Sequence, residues 1–326
     1  MLNGVHLVKQ KVDFNMKPTI ILLGAQGQLG RDIQRLQKNN TDETFELICP
    51  NRHQVDFLSS EKISLQLSKL KKELQLANID FVINCAAFTN TNKAQEEKED
   101  SYAINSMALL GIADFVRQEK AILIHISSDY IFDGNKKTPY TEEDLPNPLG
   151  HYGLSKFFAE KIIQLSSINH YIFRSSSLFG IYGARGKGGN FVETILKKAK
   201  NNEKLTIVND QTMSPTHTLD MAKTISKLIK GNLLMPFGTY NLTNRGECSW
   251  FEFTHEILTQ SGLSTQKLFP VSYRDFPASF ERPPYSVLSG DKISPYTQLP
   301  HWKDALAEYL KDRQLIQSNQ EIGANI

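Results

Sequence analysis

Thr19-Ile20-Ile21-Leu22-Leu23-Gly24-Ala25-Gln26-Gly27-Gln28-Leu29-Gly30 sets the architecture of this chain. The run from Thr19 to Leu23 is apolar and rich in β-branched residues, without polar alternation, which is the pattern of a strand buried on both faces. Glycines at 24, 27 and 30 follow at once, and a helical pattern begins there and runs to about Asn39. Strand, glycine turn and helix in this order make a dinucleotide cradle. The glycines let backbone amides approach a pyrophosphate, and the positive end of the helix faces it. The spacing is Gly-x-x-Gly-x-x-Gly rather than Gly-x-Gly-x-x-Gly, so the turn alone also suits an ordinary strand-to-helix connection.

The unit recurs. Phe45 to Cys49 reads as a short second strand, Asp80 to Ala87 and Ala121 to Ser127 as further buried strands, with helical patterns over 60–76 and 101–119. Alternating strand and helix predicts an α/β fold: a doubly wound parallel sheet covered on both faces. Ligands bind such sheets beyond the carboxyl ends of the strands, where Gly24, Asn51, Ala86 and Ser128 all fall. Tyr171 to Arg174 extends the sheet, and a helix from about His217 to Lys230 followed by Thr239 to Leu242 returns to it.

The chemistry-bearing pattern is Tyr152-Gly153-Leu154-Ser155-Lys156, with the pair Ser127-Ser128 closing the preceding strand. On a helix, positions i and i+4 share a face, so the spacing predicts an ammonium beside the phenol of Tyr152. A free phenol has a pKa near about 10, and a neighbouring cation would make it a better acid and base at neutral pH.

The 326 residues carry 37 basic and 35 acidic side chains, a net charge of +2, which gives no global field for polyanions. Basic residues are spread out and not interleaved with aromatics, so no nucleic-acid partner is expected. Cys49, Cys85 and Cys248 are an odd count at unrelated spacings and read as reduced packing residues of a cytoplasmic protein. His170, His217 and His255 lack mutual ligand spacing, so no metal is expected. No apolar stretch approaches the roughly 18 residues of a membrane span, and residues 1–18 lack a signal-peptide core, so no membrane partner is expected either. The charge run Glu96 to Asp100 and the lysines at 69, 71 and 72 read as solvated helix faces.

Taken together, Gly24 to Gly30, Asn84-Cys85-Ala86-Ala87, Ser127-Ser128-Asp129-Tyr130-Ile131-Phe132, Tyr152 to Lys156, Gly189-Asn190-Phe191, Asp210-Gln211 with Pro215-Thr216, and Arg282-Pro283 with Ser286 resemble an extended short-chain dehydrogenase/reductase. Within that superfamily the chain is most similar to the dTDP-4-dehydrorhamnose reductase family, over nearly everything after Met16. The resemblance implies a Rossmann-type sheet with a smaller α/β substrate-binding lobe. Ser128 matches the hydroxyl that binds the substrate carbonyl, Tyr152 the proton donor, and Lys156 the lysine on the nicotinamide ribose. Asn105 matches an asparagine that anchors a water relay to that lysine; a tie between helix and strand is the other reading of it. Gly24, Gly27, Gln28, Leu29 and Gly30 match the pyrophosphate turn, Asp56 and Phe57 the pair beside the adenine, and Cys85, Ala86 and Ala87 the small-residue strand end under the cofactor. Asn51-Arg52 stand where an acidic residue would select NADH, so NADPH is the expected cofactor and NADH the alternative.

On the substrate side the resemblance implies contacts from Ser128, Asp129, Tyr130, Phe132, Ser177, Asn190, Phe191 and Arg282. Gly188-Gly189-Asn190-Phe191 opens a helix whose amides, with the Asn190 side chain, are expected to receive a diphosphate, aided by local cations such as Arg185, Lys187 or Arg282. Two departures bear on specificity: Ser177 replaces a tryptophan, and Thr91-Asn92-Lys93-Ala94-Gln95 replaces Val-Asp-Lys-Ala-Glu. The expected substrate is a dTDP-4-keto-6-deoxyhexose, with rhamnose or another deoxyhexose as product. The regulatory subunits of methionine adenosyltransferase resemble the same branch and offer a non-catalytic alternative, although Asn190-Phe191 and Asp210-Gln211 favour the reductase. The 4,6-dehydratases place Asp-Glu after the catalytic hydroxyl, whereas Tyr130 follows Asp129 here. The expected organisation is an extension over 1–15, a dinucleotide-binding domain over 16–180 with 215–243 returning to it, and a substrate lobe from 181–214 and 244–326. A homodimer is the expected assembly.

Overall fold

The computed structural model describes residues 17–39, 45–183, 189–231, 234–275 and 280–323; the expected extension over 1–15 lies outside them. Its centre is a parallel six-stranded sheet in the order β10-β5-β4-β3-β1-β2. The strands are β1 (Thr19–Leu23), β2 (Glu46–Ile48), β3 (Phe81–Asn84), β4 (Ile122–Ser128), β5 (His170–Ser175) and β10 (Gly238–Asn241). The chain moves from β1 outward to β2 and then crosses to β3 on the other side of β1. The switch point between β1 and β3 opens a crevice at their carboxyl ends.

Alternation along the strands divides the core. Ile20 and Leu22 of β1 face α1 (Gln28–Asn39) and α8 (Thr218–Ile229), packing with Leu29, Ile33, Met221 and Ile225. Ile21 and Leu23 face α2 (Ser60–Glu73), α5 (Ala108–Glu119) and α6 (His151–Leu165), packing with Ile63, Leu67, Ile112 and Ala159. Full burial on both faces explains why these strands are uninterrupted apolar runs. Short helices α3 (Lys93–Glu96) and α4 (Lys98–Tyr102) lead through a single π-helical turn, Ala103–Met107, into α5.

A second core gathers the later segments. β6 (Leu178–Phe179), α7 (Phe191–Lys200), β7 (Leu205–Val208), β8 (Thr212–Met213), β9 (Thr216–His217), β11 (Cys248–Ser249), α9 (Trp250–Gln260), β12 (Leu268–Val271) and α10 (Trp302–Gly323) surround it. Phe179, Val192, Leu196, Phe253, Trp302 and Tyr309 form its centre. α9 starts with a full capping box, Ser249 and Glu252 each satisfying the other's backbone amide. No helix among the described residues is long and apolar enough to cross a membrane.

Candidate active site

Two glycines of the turn are required by the fold. Gly24 adopts a left-handed φ of 75°, and a Cβ there would lie 2.4 Å from the Ala86 nitrogen, so β1 turns directly against the end of β3. A Cβ on Gly30 would lie 2.5 Å from the Gly24 oxygen. Gly27 is different: its Cβ would meet only the Gly24 oxygen, at 3.3 Å, which leaves room for an outside group. The first turn of α1 presents its unpaired amides there, and the buried Oε1 of Gln28 has no partner. A dinucleotide pyrophosphate fits this cradle. Leu29, by contrast, points into the core at 4% exposure.

After β2, Asn51 Oδ1 accepts from the amides of His53 (2.9 Å) and Gln54 (3.2 Å), a tight turn that leaves Arg52 exposed. The carboxylate of Asp56 closes its own loop by accepting from the Leu58 amide and the Ser59 hydroxyl, while Phe57 packs against the core. Cys85, Ala86 and Ala87 lie half-buried at the end of β3. Burial pushes the Cys85 thiol up to about 12, so it is an unreactive packing residue.

At the end of β4, Ser128 accepts from the Tyr130 amide (3.2 Å), donates to Asp129 Oδ1 (3.0 Å) and shares a hydrogen bond with the Tyr152 phenol. Tyr152 sits in the first turn of α6, its ring edge-on to Tyr130 at 5.8 Å. Gly153 makes this approach possible: a Cβ there would lie 2.0 Å from the Tyr130 oxygen. Asp129, 3% exposed, is ringed by hydroxyls, accepting also from Ser176 (2.7 Å) and Ser286 (2.6 Å). Burial raises its pKa against the pull of those donors.

Lys156 departs from expectation. Its Nζ donates to the Ile126 carbonyl at 2.6 Å and lies 3.4 Å from His125 Nε2, so its hydrogen bonds go to β4 rather than to the phenol. The shared helix face fixes where the two side chains start, but the four-carbon stem carries the nitrogen away to a strand carbonyl. In this arrangement Tyr152 is not acidified. Burial pushes the phenol above its ordinary value and Asp129 and Tyr130 add to the rise, while the hydrogen bond with Ser128 opposes it. Burial lowers Lys156 to about 8, opposed by Glu160 and Cys85.

Asn105 lies in the π turn with its side chain committed to ties. Oδ1 accepts from the Phe88 amide (2.8 Å), and Nδ2 donates to the Phe88 carbonyl (3.2 Å) and to Ser155 Oγ (2.9 Å). Ser155 Oγ in turn donates to the Tyr152 carbonyl at 2.8 Å, so the loop after β3 is bound to α6.

The substrate-side residues separate into two groups. Tyr130, Ser177 and Arg282 are partly exposed around the crevice, with Ser177 in a left-handed conformation (φ 46°). The Arg282 guanidinium donates to Asn92 Oδ1 at 2.9 Å, lies over Phe280 and keeps a buried Nε without a partner. Because residue 92 is an amide and not a carboxylate, that contact leaves the charge of Arg282 unneutralised. Asn190 and Phe132 turn the other way. Asn190 caps its own helix, Oδ1 accepting from the Glu193 amide at 2.9 Å and Nδ2 donating to the Gly180 carbonyl at 2.6 Å, so its amide is not offered to a diphosphate. Phe132 is fully buried, stacked on Tyr140 at 4.2 Å with the Arg174 guanidinium over its ring. Phe191 packs on Trp250 and Phe253. Arg185, Lys187 and Gly188 lie outside the described residues.

His217, Asp220 and Glu308 bring ligand atoms within 4.8 Å of one another, but Lys223 already supplies a cation, 2.7 Å from Glu308 and 3.7 Å from Asp220. Sequence reasoning gave no role to Ser155, which stands inside the Tyr152-to-Lys156 run, or to Ser176 and Glu160. It also passed over His125, although a histidine inside Ile-Leu-Ile-His-Ile is a visible anomaly.

The RmlD substrate binding domain model matches residues 16–315. The spore coat polysaccharide biosynthesis protein SpsK of Bacillus subtilis is 34% identical, across 90% of this chain and 97% of its own length. A dTDP-4-dehydrorhamnose reductase of Aggregatibacter actinomycetemcomitans is 30% identical, across 84% of this chain and 91% of its own. Among solved structures, the dTDP-4-dehydrorhamnose reductase of Bacillus anthracis in complex with NADP superposes with a TM-score of 0.81 at 31% identity, covering 91% of this chain and all of that one.

Proposed function

The chain belongs to the RmlD substrate-binding domain family, and from that premise we infer that it is a sugar-nucleotide oxidoreductase that reduces the 4-keto group of a dTDP-4-keto-6-deoxyhexose with NADPH. The observation that carries this reading is the convergence of Ser128 and Tyr152 through one hydrogen bond at the carboxyl end of β4, beside the glycine cradle between β1 and β3. The turn Gly24 to Gly30 and Ala86 would hold NADPH, which would supply the hydride. Arg52 binds its 2'-phosphate. Ser128 donates to the ketone oxygen, and its bond with Asp129 gives way to that contact; Tyr152 then delivers the proton to the developing alkoxide. Lys156 binds the nicotinamide ribose. Tyr130, Ser177 and Arg282 line the sugar-nucleotide side.

The non-catalytic regulatory alternative needs neither the hydroxyl pair nor an uncompensated Arg282. The protein works in deoxysugar biosynthesis for surface polysaccharide, as a cytoplasmic homodimer, with the substrate lobe formed by 181–214 and 244–326. The deciding assay mixes purified protein, NADPH and a dTDP-4-keto-6-deoxyhexose and follows the nicotinamide absorbance. The wild type consumes NADPH, and Tyr152→Phe lowers the rate by about 10²–10⁴-fold with cofactor affinity retained. Silence of the wild type, together with a stable complex with methionine adenosyltransferase, would transfer the protein to the regulatory class.

A further inference from the structure

His125 is fully buried in the middle of β4, and its cross-strand neighbour is Asn84, the last residue of β3. The Asn84 amide has a fixed orientation. Its Oδ1 accepts from the Ala86 amide at 3.1 Å, so its Nδ2 is the atom that faces His125 Nδ1, at 3.2 Å. An amide NH₂ only donates, so Nδ1 must accept, and a neutral imidazole then carries its proton on Nε2. Burial keeps the ring neutral. The Nε2–H is left facing Lys156 Nζ at 3.4 Å. An ammonium has no lone pair and would confront a second donor. A neutral amine accepts from Nε2–H and still donates one of its own N–H groups to the Ile126 carbonyl at 2.6 Å.

We propose that His125 is a positioning residue: oriented by Asn84, it holds Lys156 against β4 in a contact that favours the neutral amine over the ammonium in the cofactor-free protein. Lys156 takes up a proton from solvent when it leaves His125 for the cofactor. That destination rests on the reductase reading above; the parked state does not. The charged and titratable groups around Lys156 are consistent with it. On its own helix are Tyr152 and Glu160, and the charge of Glu160 is matched by Arg174 of β5 at 2.7 Å. From β3 comes the Cys85 thiol, from β4 His125, and beyond His125 lies His170 of β5. Among the described residues the carboxylate that acts on Lys156 is therefore Glu160, which is already paired with Arg174.

The test is nitrogen NMR of the full chain labelled with ¹⁵N at lysine Nζ, with Lys156→Arg identifying the resonance, titrated between about pH 6 and pH 11. The wild-type midpoint is expected at about 8. His125→Leu removes the donor and raises the midpoint by about one unit or more. His125→Gln places an amide N–H near the Nε2 position and keeps the midpoint close to wild type. Asn84→Asp is the same size and accepts from Nδ1–H, which turns Nε2 into an acceptor and also raises the midpoint; it answers the question if the leucine variant does not fold. Saturating NADPH moves the wild-type resonance to the ammonium position. A wild-type midpoint near the ordinary lysine value of about 10.4, or a midpoint unmoved in both His125→Leu and Asn84→Asp, overturns the proposal. The readout needs no turnover, so an inactive enzyme and a failed proposal are separate results.

Discussion

Arg52 stands exposed on the turn after β2, without a hydrogen bond or ion pair among the described residues, and is the residue proposed above to meet the 2'-phosphate. A guanidinium held there gains most from a 2'-phosphate and little from a hydroxyl. Arg52→Ala is therefore expected to weaken NADPH by about tenfold, or ~1.4 kcal/mol, and to leave NADH within about twofold. Equal losses for both cofactors, measured by fluorescence titration, would remove Arg52 from that role. The exposed place of Arg52 after β2 was legible in the sequence because its position after the strand decides it. The direction of Lys156 was not, because helix periodicity fixes a Cα face and says nothing about where a long stem ends. Asn190 shows a related limit: an asparagine ahead of a helix reads equally as a ligand donor and as a cap, and here the cap takes both ends of the amide.

α6 carries both Tyr152 and Lys156, so its seat on the sheet sets the chemistry. Its anchor is buried: Glu160 receives the Arg174 guanidinium at 2.7 Å and the Ser127 hydroxyl at 2.5 Å, with side chains 1% and 4% exposed for Glu160 and Arg174. Breaking one side of such a pair strands a charge in the interior. Glu160→Gln is expected to destabilise the protein by about 3–5 kcal/mol in urea unfolding, and adding Arg174→Met to recover a substantial part of that loss. A double variant no more stable than the single one would show that the stranded charge is not the cause. Strands β1, β3, β4 and β5 were legible as apolar runs, since burial on both faces writes itself directly into composition. The π turn at Ala103–Met107 was not, because one extra residue in a helical turn changes no periodicity that a short window can resolve.

A buried seam joins the two cores where α1 meets β9, α8 and α10. Asp32 Oδ2 accepts from Thr218 Oγ1 at 2.5 Å, Arg35 pairs with Asp312 at 2.8 Å, and His217 stacks on Phe179 at 5.3 Å. A strand-helix alphabet cannot show this seam, since its partners lie 186 residues apart. Burial raises Asp32 from 3.8 to about 6, and lowers His217 from 6.5 to about 3 with Lys223 adding to the fall. The signs oppose. Asp32 favours the folded state fully below about 3.8 and loses that contribution as pH rises through about 6. His217 favours it above about 6.5 and loses that contribution as pH falls towards about 3. Asp32→Asn keeps the Thr218 contact and leaves the histidine untouched, so the difference from wild type isolates the carboxyl. At about pH 7.5 the variant is expected to be more stable by ~2–3 kcal/mol, since roughly two pKa units at ~1.4 kcal/mol each are removed. By about pH 3, where the wild-type carboxyl is largely protonated in both states, urea midpoints of the two proteins should converge. A gap that stays constant from about pH 7.5 to about pH 3 would mean that Asp32 is ionised in the folded protein throughout, and that its charge is balanced at the seam by Arg35.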